Sequence, residues 1–146
     1  MIHVGFTGTQ AGMTFAQRMK VRELLQYKEF YGHHGDCEGA DRDFVEVCRV
    51  TMGCLGLVIH PPDNVSKRAY CPVVWPRDAI RDPAPYLVRN RDIVRESDIM
   101  IATPKEVTMQ LRSGTWATIR ECRKAGKPLA IVFPNGGIAY DGATWP

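Results

Sequence analysis

The sequence predicts an α/β protein of Rossmann-like build. Its three layers would be a mainly parallel sheet of five strands, or slightly more, with helices on both faces. Three observations carry this reading. Short β-rich runs alternate with helix-like segments along the chain. The runs Leu57–Ile59, Ile99–Ala102 and Leu129–Phe133 are apolar throughout, as suits strands covered on both faces. Most intervening segments carry apolar residues at helical spacing and capping residues at their ends. At 146 residues the chain fits one ordinary domain with a real core, so residues 1–146 are read as a single domain.

Each element has a local reason. "IHVGFTG" reads as a strand running into a glycine turn. Thr14 and Gln17 fit a capping box, followed by Phe15, Met19, Leu24 and Leu25 at roughly helical spacing. "FYGHHGDCEGAD" carries a short second strand into a glycine-rich loop. Asp41 is placed to cap the next helix, in which Phe44, Val45, Cys48 and Met52 form one apolar stripe and Gly53 closes the end. "LGLVIH" is the third strand, "YLVRNRDIVRES" a helix and "DIMIATP" the fourth strand. "GTWATIRECRKAG" is a helix with Arg120, Arg123, Lys124 and Lys127 toward its C-terminal dipole and solvent, and "PLAIVFP" is the fifth strand. The segment "GGIAYDGATWP" follows no clear pattern and is expected to cover a sheet edge or meet a neighbouring subunit.

Composition excludes several classes. Apolar residues make up 45% of the chain and charged residues 24%, an ordinary globular balance. A net charge of +3 admits an anionic partner without marking a dedicated nucleic-acid binder. No dense basic stripe with interleaved aromatics suggests single-stranded DNA binding. No run approaches the roughly 18 apolar residues of a membrane helix. The start "MIHVGFTG" carries no secretory pattern, and a cytoplasmic location is expected. The five cysteines include no CxxC and are expected to be reduced thiols. His33, His34, Asp36 and Cys37 lie close together, but their spacing fits no standard zinc pattern, so neither metal nor cofactor is expected.

Residues 61–85 break the rhythm. They hold six prolines and four basic residues, Lys67, Arg68, Arg77 and Arg81. Long irregular loops in small domains are often lids or binding loops. This one follows a strand at the carboxyl edge of the sheet and is expected to act as a basic flap over an anionic ligand.

In an open parallel sheet, ligands bind beyond the carboxyl ends of the strands. Three loops of small residues belong there: Gly5–Thr14, Gly35–Asp41 and Arg112–Trp116. Each leads into a helix, where free N–H groups and the helix dipole favour an anion and glycine lets backbone approach it. The expected contacts are Gly8, Thr9, Gln10, Gly35, Asp36, Gly39, Asp41, Ser113, Gly114 and Thr115, with Arg89 and Arg91 neutralising charge. Trp116 is expected either in the core or stacked on a base. "GFTGTQ" is not the GxGxxG fingerprint and no P-loop is present, so neither dinucleotide redox chemistry nor ATP hydrolysis is supported.

Taken together, "GFTGTQAGMT", "HHGDCEGAD", "HPP", "RNRDIVRESDIMIATP" and "SGTWATIRECRKAGKP" resemble the SLOG superfamily. That group includes the Lonely-Guy phosphoribohydrolases, the DNA-processing protein A family and small stand-alone YspA/YpsA-like proteins. The resemblance runs from Gly5 to about Pro134 and is nearest to the small stand-alone branch, also found in phages and mobile elements. It implies a Rossmann-like fold and a site for nucleotides or nucleotide-derived ligands. It also implies pairing into a homodimer or larger homo-oligomer. Some relatives sense cyclic ADP-ribose-like signals, so a signal sensor or a sequestering protein is the specific version.

Lonely-Guy enzymes cleave the N-glycosidic bond of nucleoside 5′-monophosphates through a PGGxGTxxE motif and an upstream arginine. Gly114-Thr115 match the GT, and Arg89 or Arg91 stands near the arginine's place. The glutamate position is Thr118, which can neither stabilise an oxocarbenium ion nor activate water. "KEVTMQLR" is inserted between Pro104 and the triplet. Binding of a nucleotide-derived ligand is therefore the first expectation. A nucleotide N-glycosidase with Asp36 or Glu38 as the catalytic carboxylate is the second.

Overall fold

The computed structural model describes residues 1–146. Seven strands form one sheet: β1 (Ile2–Gly8), β2 (Phe30–His34), β3 (Cys54–Ile59), β4 (Ala79–Ile80), β5 (Ile99–Thr103), β6 (Leu129–Val132) and β7 (Ile138–Asp141). Their spatial order is β4-β3-β2-β1-β5-β6-β7. β1 to β6 are parallel, and β7 returns antiparallel to β6. Four helices connect them: α1 (Phe15–Leu25), α2 (Ala40–Arg49), α3 (Tyr86–Glu96) and α4 (Gly114–Ala125). The three-layer α/β expectation holds. The sheet exceeds five strands because a two-residue β4 and the irregular tail join it.

Strand alternation sorts the core onto two faces. Ile99, Ile101, Ala130 and Val132 join Val4, Phe6, Phe30 and Leu57 against α1 and α2. Met100, Ala102, Leu129 and Ile131 pack against Ile93 and Val94 of α3 and Trp116, Ile119 and Cys122 of α4. Phe6 and Phe44 stack with centroids 4.4 Å apart at the centre of the first face.

The helix ends show where local signals held and where tertiary packing overrode them. The Thr14–Gln17 capping box forms with both of its hydrogen bonds. The buried face of α1, however, is Gln17, Val21, Leu24 and Leu25, while Phe15 and Met19 face outward. Gln17 turns inward because its amide donates to the carbonyls of Pro104 (2.9 Å) and Val132 (3.0 Å), satisfying two strand ends. Asp41 does not cap α2: the cap position is Gly39, and Asp41 lies in the first turn. The helix ends at Arg49, before Met52 and Gly53, and Met52 is fully exposed. Gly126 closes α4 in the left-handed conformation, φ 68°. Lys127 serves a different helix from the expected one. Its ammonium donates to the carbonyls of Val94, Arg95 and Ser97 at the C-terminus of α3. The tail covers the β6 edge as β7, tied to α4 by an Arg123–Asp141 ion pair at 2.7 Å.

The 61–85 excursion is pinned rather than loose. The buried Asp78 carboxylate accepts two bonds from Arg49 and further bonds from the N–H groups of Leu57, Val74 and Trp75. Burial alone would raise its pKa, but these donors hold it well below the usual carboxylate range. Asp36 anchors the other end, accepting from Arg68 Nε and Cys71 N–H, both at 2.8 Å. Of the four basic residues expected in a flap, only Lys67 reaches the cleft described below. Arg68 is bound to Asp36 and Arg81 to Glu96.

Candidate functional site

Chain order reverses between β1 and β5, because β2 to β4 lie on one side of β1 and β5 to β7 on the other. A crevice at the carboxyl ends follows from such a reversal. It is present as a cleft of about 360 Å³ lined by Gly8, Thr9, Gln10, Lys67, Tyr86, Glu106, Arg112, Ser113, Gly114 and Thr115. Thr9 stitches its floor: its N–H donates to Thr103 O and its carbonyl accepts from Ala40 N–H. Lys67 and Arg112 against Glu106 leave one net positive side-chain charge.

The small triplet has a structural reason beyond turn geometry. Ser113 is the N-cap of α4 and its hydroxyl accepts from Trp116 N–H at 3.2 Å. The first-turn N–H groups of Gly114 and Thr115 have no partner within the helix, and both residues line the cleft. At Gly114 any side chain would collide with the Tyr86 hydroxyl. Thr118, at the Lonely-Guy glutamate position, turns back on its own helix, its hydroxyl donating to Gly114 O.

The expected site residues fall into separate places. Gly8, Thr9, Gln10, Ser113, Gly114 and Thr115 meet in the cleft. Gly35, Asp41 and Arg89 form a buried cluster behind it. The Arg89 guanidinium packs where a Gly35 side chain would stand, and it donates to Cys37 Sγ at 3.4 Å. Its other side lies 4.5 Å from the ring centre of Tyr86, so Tyr86 is the wall between cluster and cleft. Asp41 accepts from Cys37 N–H. Burial raises Asp41 to about 6 despite the opposing charge of Arg89. Gly39 lies against the backbone of Gln10, behind the cleft lining. Trp116 is in the core.

Three expectations need correction. The Asp36 side chain is wholly buried with both oxygens engaged by Arg68 and Cys71, so it is not free as a base or nucleophile. Glu38 is 53% exposed, pairs with Arg42 and does not line the cleft. Arg91 points away, 62% exposed on the outer groove between α3 and α4 near Glu121. The carboxylate that does line the cleft is Glu106, from the inserted segment. Its signal was the insertion itself, which directly follows β5 at the point of reversal.

A second polar cluster was not legible in the sequence, which set His33 beside His34, Asp36 and Cys37 rather than beside His3 and His60. On the α3 side of the sheet, His3 Nδ1 lies 2.8 Å from His33 Nε2, and His33 Nδ1 lies 2.9 Å from His60 Nε2. Burial, reinforced by the neighbouring His60 and His3, lowers His33 to about 3. Burial likewise lowers His60 to about 4 against the pull of Glu96, and His34 to about 4 against that of Asp36. All three are neutral at pH 7.

Fold and cleft together define a doubly wound, mostly parallel α/β protein with a polar crevice at its topological switch point. Among solved structures, the chain is similar to TM1055, a structural genomics target determined by X-ray crystallography. The TM-score is 0.61 at 19% identity, covering 88% of this chain and 72% of that one. That likeness shows the fold. No protein-family model and no curated protein matches the sequence. No helix is long and apolar enough to cross a membrane.

Proposed function

We propose that the switch-point cleft binds a small nucleotide or nucleotide-derived ligand, ADP-ribose-like in kind, by its phosphate groups. On this reading the protein is a sensor or sequestering member of the SLOG superfamily. The observation that carries the proposal is the meeting of Gly8-Thr9-Gln10 with Ser113-Gly114-Thr115 under two cations, Lys67 and Arg112. Phosphate oxygens would take the N–H groups of Gly114 and Thr115 and the Ser113 hydroxyl, with the dipole of α4 behind them. Lys67 and Arg112 supply the charge, and Tyr86 offers an aromatic edge to the sugar or base. Exposed Leu87, Val88, Met109 and Leu111, on α3 and the segment before α4, support assembly into a homodimer or larger oligomer.

The test is line broadening in proton NMR of adenosine, guanosine and cytidine monophosphates, ADP-ribose and cyclic ADP-ribose on adding protein. One compound should broaden and stay intact for hours, and Arg112→Ala should abolish the broadening. A panel unaffected by the protein would end this reading.

Glu106 favours a second reading, a nucleotide N-glycosidase of Lonely-Guy type. A cleft carboxylate beside a bound sugar meets the need that Thr118 leaves unmet. Free-base signals growing with time, and lost in Glu106→Gln, would establish it over simple binding.

A further inference from the structure

Three strands and one helix end converge on the α3 side of the sheet, away from the cleft. β1 supplies His3, β2 supplies His33, the residue after β3 is His60, and the last residue of α3 is Glu96. His33 and His60 are buried, and one donor atom each from His33, His60 and Glu96 lie within 4.8 Å of one another. We propose that His33, His60 and Glu96 form a binding site for a first-row divalent transition metal ion, zinc or a close relative.

The geometry favours an ion over a closed hydrogen-bonded chain. The chain of imidazoles breaks at its end: His60 Nδ1 and Glu96 Oε2 are 3.9 Å apart. That is too long for a hydrogen bond. It is shorter than two metal–ligand bonds of about 2.0–2.2 Å laid end to end, so an ion can bridge what a proton cannot. Two imidazoles and one carboxylate suit zinc, cobalt, nickel or iron better than magnesium or calcium, and three protein ligands leave a coordination position open.

The surroundings hold the ligands as metal sites require. His33 Nε2–H can donate to His3 Nδ1 at 2.8 Å, which leaves the Nδ1 lone pair of His33 for the ion. Each imidazole keeps one N–H in this state, that of His60 on Nε2, so the His60 Nδ1 lone pair already faces Glu96; drawing His33 Nδ1 onto the ion replaces the His33–His60 hydrogen bond without loss of a proton. Arg81 binds Glu96 Oε1 at 2.6 Å through Nη2 and steers Oε2 toward His60. The His60 backbone is fixed by its N–H to His34 O at 2.9 Å. Glu96, 24% exposed, gives the ion its path from solvent. The residues are separated by tens of positions in sequence, so no ligand-spacing motif could announce them.

The experiment is a titration of chelator-treated, folded protein with cobalt(II), followed by visible absorption, with zinc(II) calorimetry alongside. One equivalent should bind and give ligand-field bands without a near-ultraviolet thiolate band, which separates this site from the five cysteines. Glu96→Gln and His60→Gln should each weaken binding by more than ~100-fold, and His3→Gln by ~10–100-fold as an outer-shell partner. If a variant fails to fold, imidazole nitrogen NMR of the wild type decides: zinc must shift His33 and His60 and leave His34 unmoved. Absence of stoichiometric binding, a thiolate band, or affinity indifferent to both ligand variants would overturn the site.

Discussion

The two faces of the sheet are built on opposite plans. The α1–α2 face is mostly dry: Val4, Phe6, Phe30, Phe44 and Leu57 fill it, and Gln17 and His34 are buried at the ends of its strands. The α3 face is dry only under β5 and β6. Under β1 to β3 it carries His3, His33, His60, Glu96 and Arg81, with buried Arg89 and Asn90 on α3 above them. Buried Arg89 Nε and Asn90 Nδ2 have no hydrogen-bond partner within the protein. One face serves cohesion. The other spends burial on groups that need partners, which is the pattern of a surface built for chemistry or ligands.

The largest effect should come from breaking the dry face. Phe44→Ala removes a fully buried ring stacked on Phe6 and should cost about 3–5 kcal/mol, read from the urea midpoint. Asp78→Asn tests the pinning of the 61–85 excursion. It breaks the buried pair with Arg49 and should cost roughly 3 kcal/mol, with new protease cleavage within the excursion.

Acid should act first on the buried histidines. His33, His34 and His60 bind protons in the metal-free folded state only near pH 3 to 4, but in the unfolded chain near 6.5. Their stabilising contribution is therefore complete above about pH 6.5 and is lost as pH falls through that value toward 4. Asp41 acts in the opposite sense. With a folded value of about 6 against 3.8, its burial is relieved as pH falls from 6 to 3.8. Three histidines outweigh one carboxylate, so the urea midpoint should drop between about pH 7 and about pH 5, and less steeply in His33→Gln. A midpoint flat over that range would contradict the buried neutral triad.

Smaller effects sharpen the contrast. Thr14→Ala removes the α1 cap and should cost about 1 kcal/mol in thermal or urea unfolding. Arg112→Ala, in the cleft, should leave stability within ~0.5 kcal/mol while removing ligand binding.

The same division explains what the sequence disclosed. The strands and helix starts were legible because periodicity and caps are local: the runs at Leu57, Ile99 and Leu129 became β3, β5 and β6, and Thr14–Gln17 became a capping box. The small loops at Gly8 and Ser113 were legible because glycine and a cap before a helix are local too. Misreadings arose where long-range partners decided. Asp36 looked free until Arg68 and Cys71 reached it, and the capping-box role of Gln17 gave no sign that its amide also closes two strand ends. Arg89 and Arg91 are two residues apart on one helix, so one turned inward and the other to solvent. Glu106 and the histidine cluster come from segments that meet only once the sheet has formed.

The central claim is that a phosphate-bearing ligand sits on the N-terminus of α4. The most direct measurement is backbone amide NMR during titration with ADP-ribose and adenosine monophosphate. The account predicts the largest shifts at Gly114 and Thr115, with smaller ones at Gly8 to Gln10. Saturable shifts confined to another surface, or none with any phosphate-bearing nucleotide, would contradict it.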